Sequence, residues 1–257
     1  MAKYNSMENM ICVAARQMED GSSAAIGTGV PTAAGMLAQK LYAPNLLIFF
    51  EAGAAGPILP TMPVSVGDSR TTHHSLLAST MLDTMEAGQR GLLDYTFLGG
   101  AQIDKFGNLN STMIGDDYHH PKVRFPGSGG ANDLGSLCWK IMVVTPHTKK
   151  RFVEKVDFIT TPGFLSGPGA REEAGLSKGT GPFKVITDLA ILDYNNPEKR
   201  MQVISLHEGV TLKQVKDNTG FELLVADKLE ITPPPTDEEL RILREEIDPS
   251  GFIIGRG

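Results

Sequence analysis

The stretch SSAAIGTGVPTAAGMLAQKLYAPNLLIFFE, residues 22–51, contains the pattern on which the fold prediction rests. It starts with a short apolar run that enters a glycine turn. A helix-like segment follows from Pro31, and five consecutive apolar residues, 46–50, complete the pattern. Proline favours the start of a helix, and a short uninterrupted apolar run is typical of a buried strand. Strand, helix and strand in this order predict a βαβ unit in a parallel sheet.

Further segments of both kinds flank this unit. Apolar residues at helical spacing predict a helix over residues 7–20, and residues 72–89 also have a helical pattern. Residues 94–98 are predicted as the next strand. Beyond about residue 140 the pattern becomes strand-rich. The predicted strands there are residues 141–145, 152–160, 183–194 and 201–207, and the predicted helices are residues 212–220 and 237–247, with Asp237 as a cap.

These elements predict an α/β fold: an open, mostly parallel sheet flanked by helices, with a strand-rich C-terminal half. A chain of 257 residues is long enough to bury a complete core without disulfides. We therefore expect one continuous domain over residues 1–257.

The composition argues against several classes of protein. The formal charge of −6 is opposite in sign to that of most nucleic-acid-binding proteins. No apolar run approaches the roughly 20 residues that span a bilayer, the run 46–50 being far too short, and the N-terminus does not resemble a secretion signal. Cys12 and Cys138 are too few for a disulfide framework and lack metal-ligand spacing. We expect a soluble protein of the reducing cytoplasm.

Glu51 is the first candidate for chemistry. It follows the apolar run 46–50 and precedes a series of small residues. Ligands of open α/β sheets bind at the carboxyl ends of the strands, where this glutamate is predicted to lie. A carboxylate stripped of water there is a stronger nucleophile. The alternative is an exposed strand-end glutamate without a catalytic role.

The glycine-rich segment 127–133, GSGGAND, is the second candidate. Three glycines in four residues can present several backbone N–H groups to an anion, either a phosphate or a developing oxyanion. The segment lacks the Gly-Lys-Ser/Thr of nucleotide hydrolases. A plain turn is an equally good interpretation of this loop taken alone.

The third candidate is the segment 99–112, where a strand-like run enters a turn rich in amide side chains. Gln102, Asn108 and Asn110 could donate hydrogen bonds in a site wall, although asparagine is also common in ordinary turns. The six histidines show no metal-ligand spacing, so no metal site is predicted. Ser128 lies outside any Gly-x-Ser-x-Gly nucleophile motif, which argues against a serine hydrolase.

Taken together, these segments resemble the β-subunit chains of the family I coenzyme A-transferases, and most closely their glutaconate branch. The resemblance extends over nearly the whole chain. It is carried by EAG at 51–53, SVGD at 65–68, GGAQIDKFGNLNST at 99–112, IGDDYHHPKVRFPGSGGAND at 114–133 and REEIDP at 244–249. The GSGGA loop is shared across the wider family, whereas YHHPK and GGAQID are typical of the glutaconate branch.

The resemblance implies a catalytic subunit that works with an α subunit, the active site lying between the two chains. Glu51 would be the nucleophile of a ping-pong reaction that moves CoA from an acyl-CoA to a carboxylic acid, such as a short dicarboxylate, through a glutamyl-CoA thioester. No permanent cofactor or metal is implied. An oxyanion and CoA-binding loop would be formed by the five residues Gly127, Ser128, Gly129, Gly130 and Ala131, with the amide of Asn110 nearby.

Two other functions remain open on the same scaffold. Related chains include thioester hydrolases and decarboxylases in which the nucleophilic glutamate is replaced, and Glu51 favours the transferase over these. A noncatalytic nucleotide-binding or structural subunit is the third alternative.

Overall fold

The computed structural model describes residues 3–255, which form two compact units. Unit 1 comprises the described residues up to Phe97 together with those from Pro234 onward, and unit 2 runs from Leu98 to Pro233. Each unit combines strands with helices. The expectation of one continuous domain over the whole chain stays a prediction.

The helices are short to medium in length. In chain order they are α1 (Ser6–Ala15), α2 (Val30–Leu41), α3 (Met81–Gln89), α4 (Ala131–Leu137), α5 (Ala170–Glu173), α6 (Leu212–Asp217) and α7 (Asp237–Ile242), with a 3₁₀ turn at Ser69–Thr72 and a π-helical turn at Leu243–Ile247. Within residues 3–255, no helix is both long enough and apolar enough to cross a membrane.

The strands are mostly two to six residues long. They are β1 (Ser23–Ala25), β2 (Leu47–Phe49), β3 (Ala54–Ala55), β4 (Leu77–Ala78), β5 (Tyr95–Phe97), β6 (Gln102–Ile103), β7 (Leu109–Asn110), β8 (Met113–Ile114), β9 (Val123–Arg124), β10 (Lys140–Val144), β11 (Gly181–Ile186), β12 (Ala190–Asp193), β13 (Gln202–Leu206) and β14 (Leu224–Ile231).

Unit 1 is built around the predicted βαβ unit. β1 pairs in parallel with both β2 and β5, and α2 connects β1 to β2. β3 and β4 continue the sheet beyond β2 in antiparallel pairs. Ile48 and Phe50 are fully buried, so the apolar run that predicts the strand also supplies core. Leu47 and Phe49, on the opposite face, are partly buried, so both faces of the strand are at least partly covered and the run is apolar throughout rather than alternating.

Unit 2 contains the strand-rich part of the chain. β11 pairs in parallel with β10 and in antiparallel fashion with β12, and β13 pairs with β12 antiparallel and with β14 in parallel. β6–β7 and β8–β9 are two small hairpins. The sheet strands and the hairpin β6–β7 share one apolar cluster that includes Ile103, Phe152 and Val203. The predicted α/β class is confirmed.

Three element boundaries differ from the prediction in the first half of the chain and at its end. The helix predicted over 7–20 ends at Ala15. In the segment 72–89, only Met81–Gln89 is helical, because Ala78 pairs with Ala54 as an edge strand. The cap of the last helix is Thr236, not Asp237. Its hydroxyl accepts the N–H of Glu239, and Glu239 bonds back to Thr236 N–H in a capping box.

Two strand predictions in the second half also need correction. The segment 152–160 is irregular apart from an isolated bridge between Phe152 and Ile103. Its apolar side chains contribute to the core without a continuous ladder. The run 183–194 is not one strand but the hairpin β11–β12, whose turn lies at Thr187–Leu189.

A buried histidine makes unit 2 sensitive to acid. His147 stacks on Phe152 with ring centroids 4.0 Å apart, and its two ring nitrogens lie 3.1 Å from Thr187 Oγ1 and 3.0 Å from Thr219 Oγ1. Burial lowers the pKa of this imidazole to about 4, although the nearby Asp188 carboxylate opposes the shift. The ring is therefore neutral in the folded protein at neutral pH.

The unfolded chain binds a proton on His147 more readily than the folded chain does. The stabilising contribution is therefore fully present above the ordinary histidine pKa of about 6.5 and is lost as the pH falls toward 4. Between pH 7.5 and 5 we expect His147 alone to lower the free energy of unfolding by about 2 kcal/mol. Urea unfolding of the parent and of His147→Gln at both pH values tests this. Equal pH dependence in the two proteins would contradict it.

Candidate active site

Glu51 lies in the tight turn that joins β2 to β3. Phe50 N–H donates to Ala54 O at 2.8 Å, and Gly53 N–H donates back to Phe50 O at 2.9 Å, so Glu51 is the second residue of a four-residue turn. Gly53 has φ +115°, and a Cβ built there would lie 2.4 Å from the backbone oxygen of Ser79. Only glycine fits this position, which accounts for the glycine two residues after Glu51.

The side chain of Glu51 is half-buried and unpaired. Within residues 3–255, its carboxylate has neither a hydrogen bond nor an ion pair. The buried glutamates of the same unit differ in this respect, because Glu8 bonds Arg244 at 2.6 Å and Glu239 bonds Arg16 at 2.8 Å. A partly desolvated carboxylate with its oxygens unoccupied is suited to act as a nucleophile.

The glycine loop Gly127–Ala131 connects β9 to α4 in unit 2. Two hydrogen bonds to Ser111 fix its start: Gly127 N–H donates to Ser111 O at 3.0 Å, and Ser111 Oγ donates to Gly127 O at 2.9 Å. Gly127 and Gly129 have φ +99° and +49°. Because L-residues rarely adopt such angles, glycine is required here for backbone reasons.

The loop leaves backbone donors available. Ala131 N–H donates to Ser128 O at 2.9 Å, so it is not available for its expected role as an oxyanion donor. In the described part of the chain, the N–H groups of Ser128, Gly129 and Gly130 have no acceptor. Three consecutive backbone N–H groups are thus available to an anion, as in loops that bind anions through their main chain.

Asn110 lies beside this loop, but its side-chain amide N–H groups already donate hydrogen bonds within the protein. Its buried amide nitrogen donates to Gln102 Oε1 at 2.7 Å and to Met113 O at 2.6 Å, while its Oδ1 accepts the N–H of Thr112. The expectation of a donor for an oxyanion does not fit this geometry. Asn110 instead braces the β7–β8 turn, and that turn carries Ser111.

Asn108 and Gln102 have structural roles of the same kind. Asn108 donates to Asp104 and to Leu165 O, and its oxygen accepts the N–H of Gly163 at 2.9 Å. Gln102 Oε1 accepts from Asn110 and from Asp157 N–H. Unit 2 therefore brings Asn110 and the loop together through Ser111, and the amide cluster is scaffold. Among residues 3–255, no three histidine, cysteine, aspartate or glutamate side chains form a group that could hold a metal ion.

Residues 7–218 match the family model described as Coenzyme A transferase. The chain belongs to this family. The predicted resemblance and the predicted enzyme class, a CoA-transferase, are thereby confirmed. The hairpin of Glu51 and the glycine loop both lie inside the matched region.

Two curated relatives share 37% identity with this coenzyme A transferase chain. The B-type subunit of glutaconate CoA-transferase from Acidaminococcus fermentans aligns over 98% of this chain and 95% of its own length. The B-type subunit of 3-oxoadipate CoA-transferase from Pseudomonas knackmussii aligns over 95% of this chain and 94% of its own. The equal identity means that similarity does not separate a glutaconate-type substrate from a 3-oxoadipate-type one.

The fold agrees with a solved structure of the same family. The crystal structure of glutaconate coenzyme A-transferase from Acidaminococcus fermentans superposes with a TM-score of 0.94 at 36% identity, covering 99% of both chains. At this level of agreement the arrangement of strands and helices is the same in both proteins.

Proposed function

We propose that this chain is the catalytic β subunit of a CoA-transferase that moves CoA from an acyl-CoA to a carboxylic acid, with Glu51 as the nucleophile. The observation that carries the proposal is the unpaired Glu51 carboxylate, displayed on a tight turn at the carboxyl end of a buried strand. A glutamate of this kind can form and release an acyl bond without a metal or a nucleotide, because the free energy of the thioester is kept on the protein.

The reaction proceeds in two reversible halves. The Glu51 carboxylate attacks the thioester carbonyl of the acyl-CoA, which gives a mixed anhydride and releases the CoA thiolate. The thiolate then attacks the glutamyl carbonyl, so that the first acid leaves and a glutamyl-CoA thioester remains. The incoming carboxylate then attacks the glutamyl-CoA thioester and expels the CoA thiolate, which gives a second mixed anhydride. The thiolate attacks the carbonyl of the incoming acid in this anhydride, so that the new acyl-CoA forms and the Glu51 carboxylate is released. Water must be excluded throughout, since it would hydrolyse the anhydride and the thioester.

From the resemblance to the family, we assign the glycine loop to the oxyanions of these steps. Each attack creates a tetrahedral intermediate with one negatively charged oxygen, and backbone N–H groups at Ser128, Gly129 and Gly130 are free to stabilise it. The charge develops only as the reaction proceeds, so these donors favour the transition state over the substrate.

Gly130→Val tests this assignment. Gly130 has φ −79° and ψ 3°, angles that are open to residues other than glycine, so its replacement tests the space above the loop more than the backbone. The β-branched side chain of valine should block the approach of the thioester oxygen to the loop. We therefore expect kcat to fall by about 10²–10³-fold, the usual effect of losing one oxyanion donor, with a modest change in the unfolding temperature. Normal turnover by a folded Gly130→Val protein would show that the loop is only a turn.

The partner and substrate follow from the relatives. Both are named as B-type subunits of a CoA-transferase, so we assign this chain a partner subunit of the A type. We place the complex in the cytoplasm because Cys12 and Cys138 are both free thiols, as suits a reducing compartment. Glutaconate and 3-oxoadipate are both short dicarboxylates. A short dicarboxylic acid is therefore the proposed acceptor, as free acid and as CoA thioester.

A labelled-acceptor experiment separates this function from its alternatives. The assembled complex is incubated with an acyl-CoA and an isotope-labelled acceptor acid, and the products are resolved by mass. Label in a new CoA thioester is expected. Loss of thioester without label transfer would indicate a hydrolase, release of CO₂ a decarboxylase, and no change at all a noncatalytic subunit.

A further inference from the structure

The position of the Glu51 carboxylate depends on the backbone that carries it. Because no side chain within residues 3–255 bonds this carboxylate, its place is set by the turn from Phe50 to Gly53. Reacting groups must be held close to the attack geometry, and a misplacement of about 1 Å can cost about 10²-fold in rate. Whatever fixes this turn therefore contributes to the reaction.

Two hydroxyl groups hold the two ends of the turn. Ser79, which precedes α3, donates to Gly53 O with both its N–H, at 3.0 Å, and its Oγ, at 2.8 Å. Thr84, buried in the first half of α3, donates its Oγ1 to Phe50 O at 3.3 Å. Both bonds reach across a long sequence separation, from the start of α3 to the carbonyls on either side of Glu51.

Neither hydroxyl is needed to satisfy the carbonyl that it bonds. Gly53 O already accepts the Ser79 N–H, and Phe50 O already accepts the Gly53 N–H. A helical threonine commonly returns its hydroxyl to the carbonyl four residues earlier, yet Thr84 directs it to Phe50 instead. The second bond at each carbonyl restricts the direction of the carbonyl rather than relieving an unpaired group.

We propose that Ser79 and Thr84 are positioning residues for the nucleophile, an inference that rests on the proposed function of Glu51. Their hydroxyls restrict two carbonyls of the turn: that of Phe50, in the peptide unit that precedes Glu51, and that of Gly53, in the peptide unit that follows the turn. The start of α3 thereby sets the direction in which the carboxylate points. Loss of either hydroxyl leaves a folded hairpin with a less well-directed nucleophile.

The test uses Ser79→Ala and Thr84→Val in the assembled enzyme. Each is expected to lower kcat about tenfold, while KM for the acyl-CoA stays within about twofold, because only the alignment of the nucleophile changes. Trapping of the glutamyl-CoA adduct in a single turnover without acceptor should slow by the same factor. The unfolding temperature should stay close to that of the parent, since the backbone N–H bonds remain.

Two further variants separate positioning from general damage. Ser79→Thr keeps the hydroxyl at a residue that lines a cavity of about 400 Å³, so it should restore kcat. Thr72→Ala removes an exposed hydroxyl that bonds Ser69 O at 2.9 Å in the same unit, and it should leave kcat unchanged.

Any of three results would overturn the positioning role. The first is parental kcat in Ser79→Ala and Thr84→Val. The others are a loss of kcat that Ser79→Thr does not restore, and a loss of kcat that accompanies a lowered unfolding temperature. Glu51→Gln, assayed in the same preparation, keeps the two proposals apart. If that variant is inactive while Ser79→Ala is normal, only the positioning role fails; if it is fully active, the function proposed for Glu51 fails.

Discussion

Glu51→Gln is expected to lower the rate of CoA transfer by about 10⁴–10⁶-fold, the range found when a covalent nucleophile is removed. Glutamine keeps the size and most of the hydrogen-bonding capacity of glutamate but carries no anion that can attack a thioester. The turn is held by backbone groups of Phe50 and Gly53 and by Ser79, none of which involves the Glu51 carboxylate. The variant should therefore fold, join its partner subunit and bind acyl-CoA as the parent does.

Glu86→Gln is the matched control, because Glu86 is an exposed glutamate on α3 of the same unit. It should retain parental activity. The introduced glutamine at position 51 must be verified by mass, since slow deamidation would restore the glutamate and with it the activity. An intact Glu51→Gln protein that transfers CoA at the parental rate would leave Glu51 as a structural strand-end residue.

Chemical trapping provides a second readout of the same prediction. Acyl-CoA supplied without an acceptor acid should leave CoA on the parent chain as a thioester. Borohydride should reduce this thioester and inactivate the enzyme, and the changed mass should map to the peptide that contains Glu51. The Glu51→Gln chain should carry no such change. This result would identify the attacked residue independently of the rate.

The strand that leads to Glu51 could be predicted from sequence because its determinants are local. An uninterrupted apolar run predicts β2, whereas the return strand β3 appears only in the structure. The parallel pairing of β1 with β2 follows from the intervening helix α2. The burial of the strands and the length of the connection between them are both determined within about thirty residues. The sequence pattern and the observed fold therefore agree in this segment.

Features that depend on distant partners were not predictable in the same way. Asn110 has the sequence context of a site residue, but its amide nitrogen donates to Gln102 and Met113. These two hydrogen bonds are seen only in the folded structure. Ala78 lies in a helix-like stretch and becomes an edge strand because Ala54 is available to pair with it. The Thr236 cap differs, since Thr-x-x-Glu at 236–239 is a local signal that is already present in the sequence.

The chain alone is expected to show no measurable CoA transfer, and activity should appear when a partner subunit of the A type is added. The physical reason is water. Glu51 is only half-buried in the isolated chain, and a mixed anhydride formed there would hydrolyse before CoA returned. Leu76 and Leu82, near the edge strand β4, are 80% and 74% exposed, which is typical of a surface that another protein covers.

Reconstitution provides the measurement. The purified chain, shown by mass spectrometry to be free of other proteins, is assayed with acyl-CoA and acceptor before and after addition of the partner. The partner combined with Glu51→Gln is the control, and it should remain inactive, because the partner supplies cover but not the nucleophile. Full turnover by the isolated chain would mean that this chain excludes water from Glu51 unaided. Activity in the Glu51→Gln mixture would instead place the nucleophile on the partner.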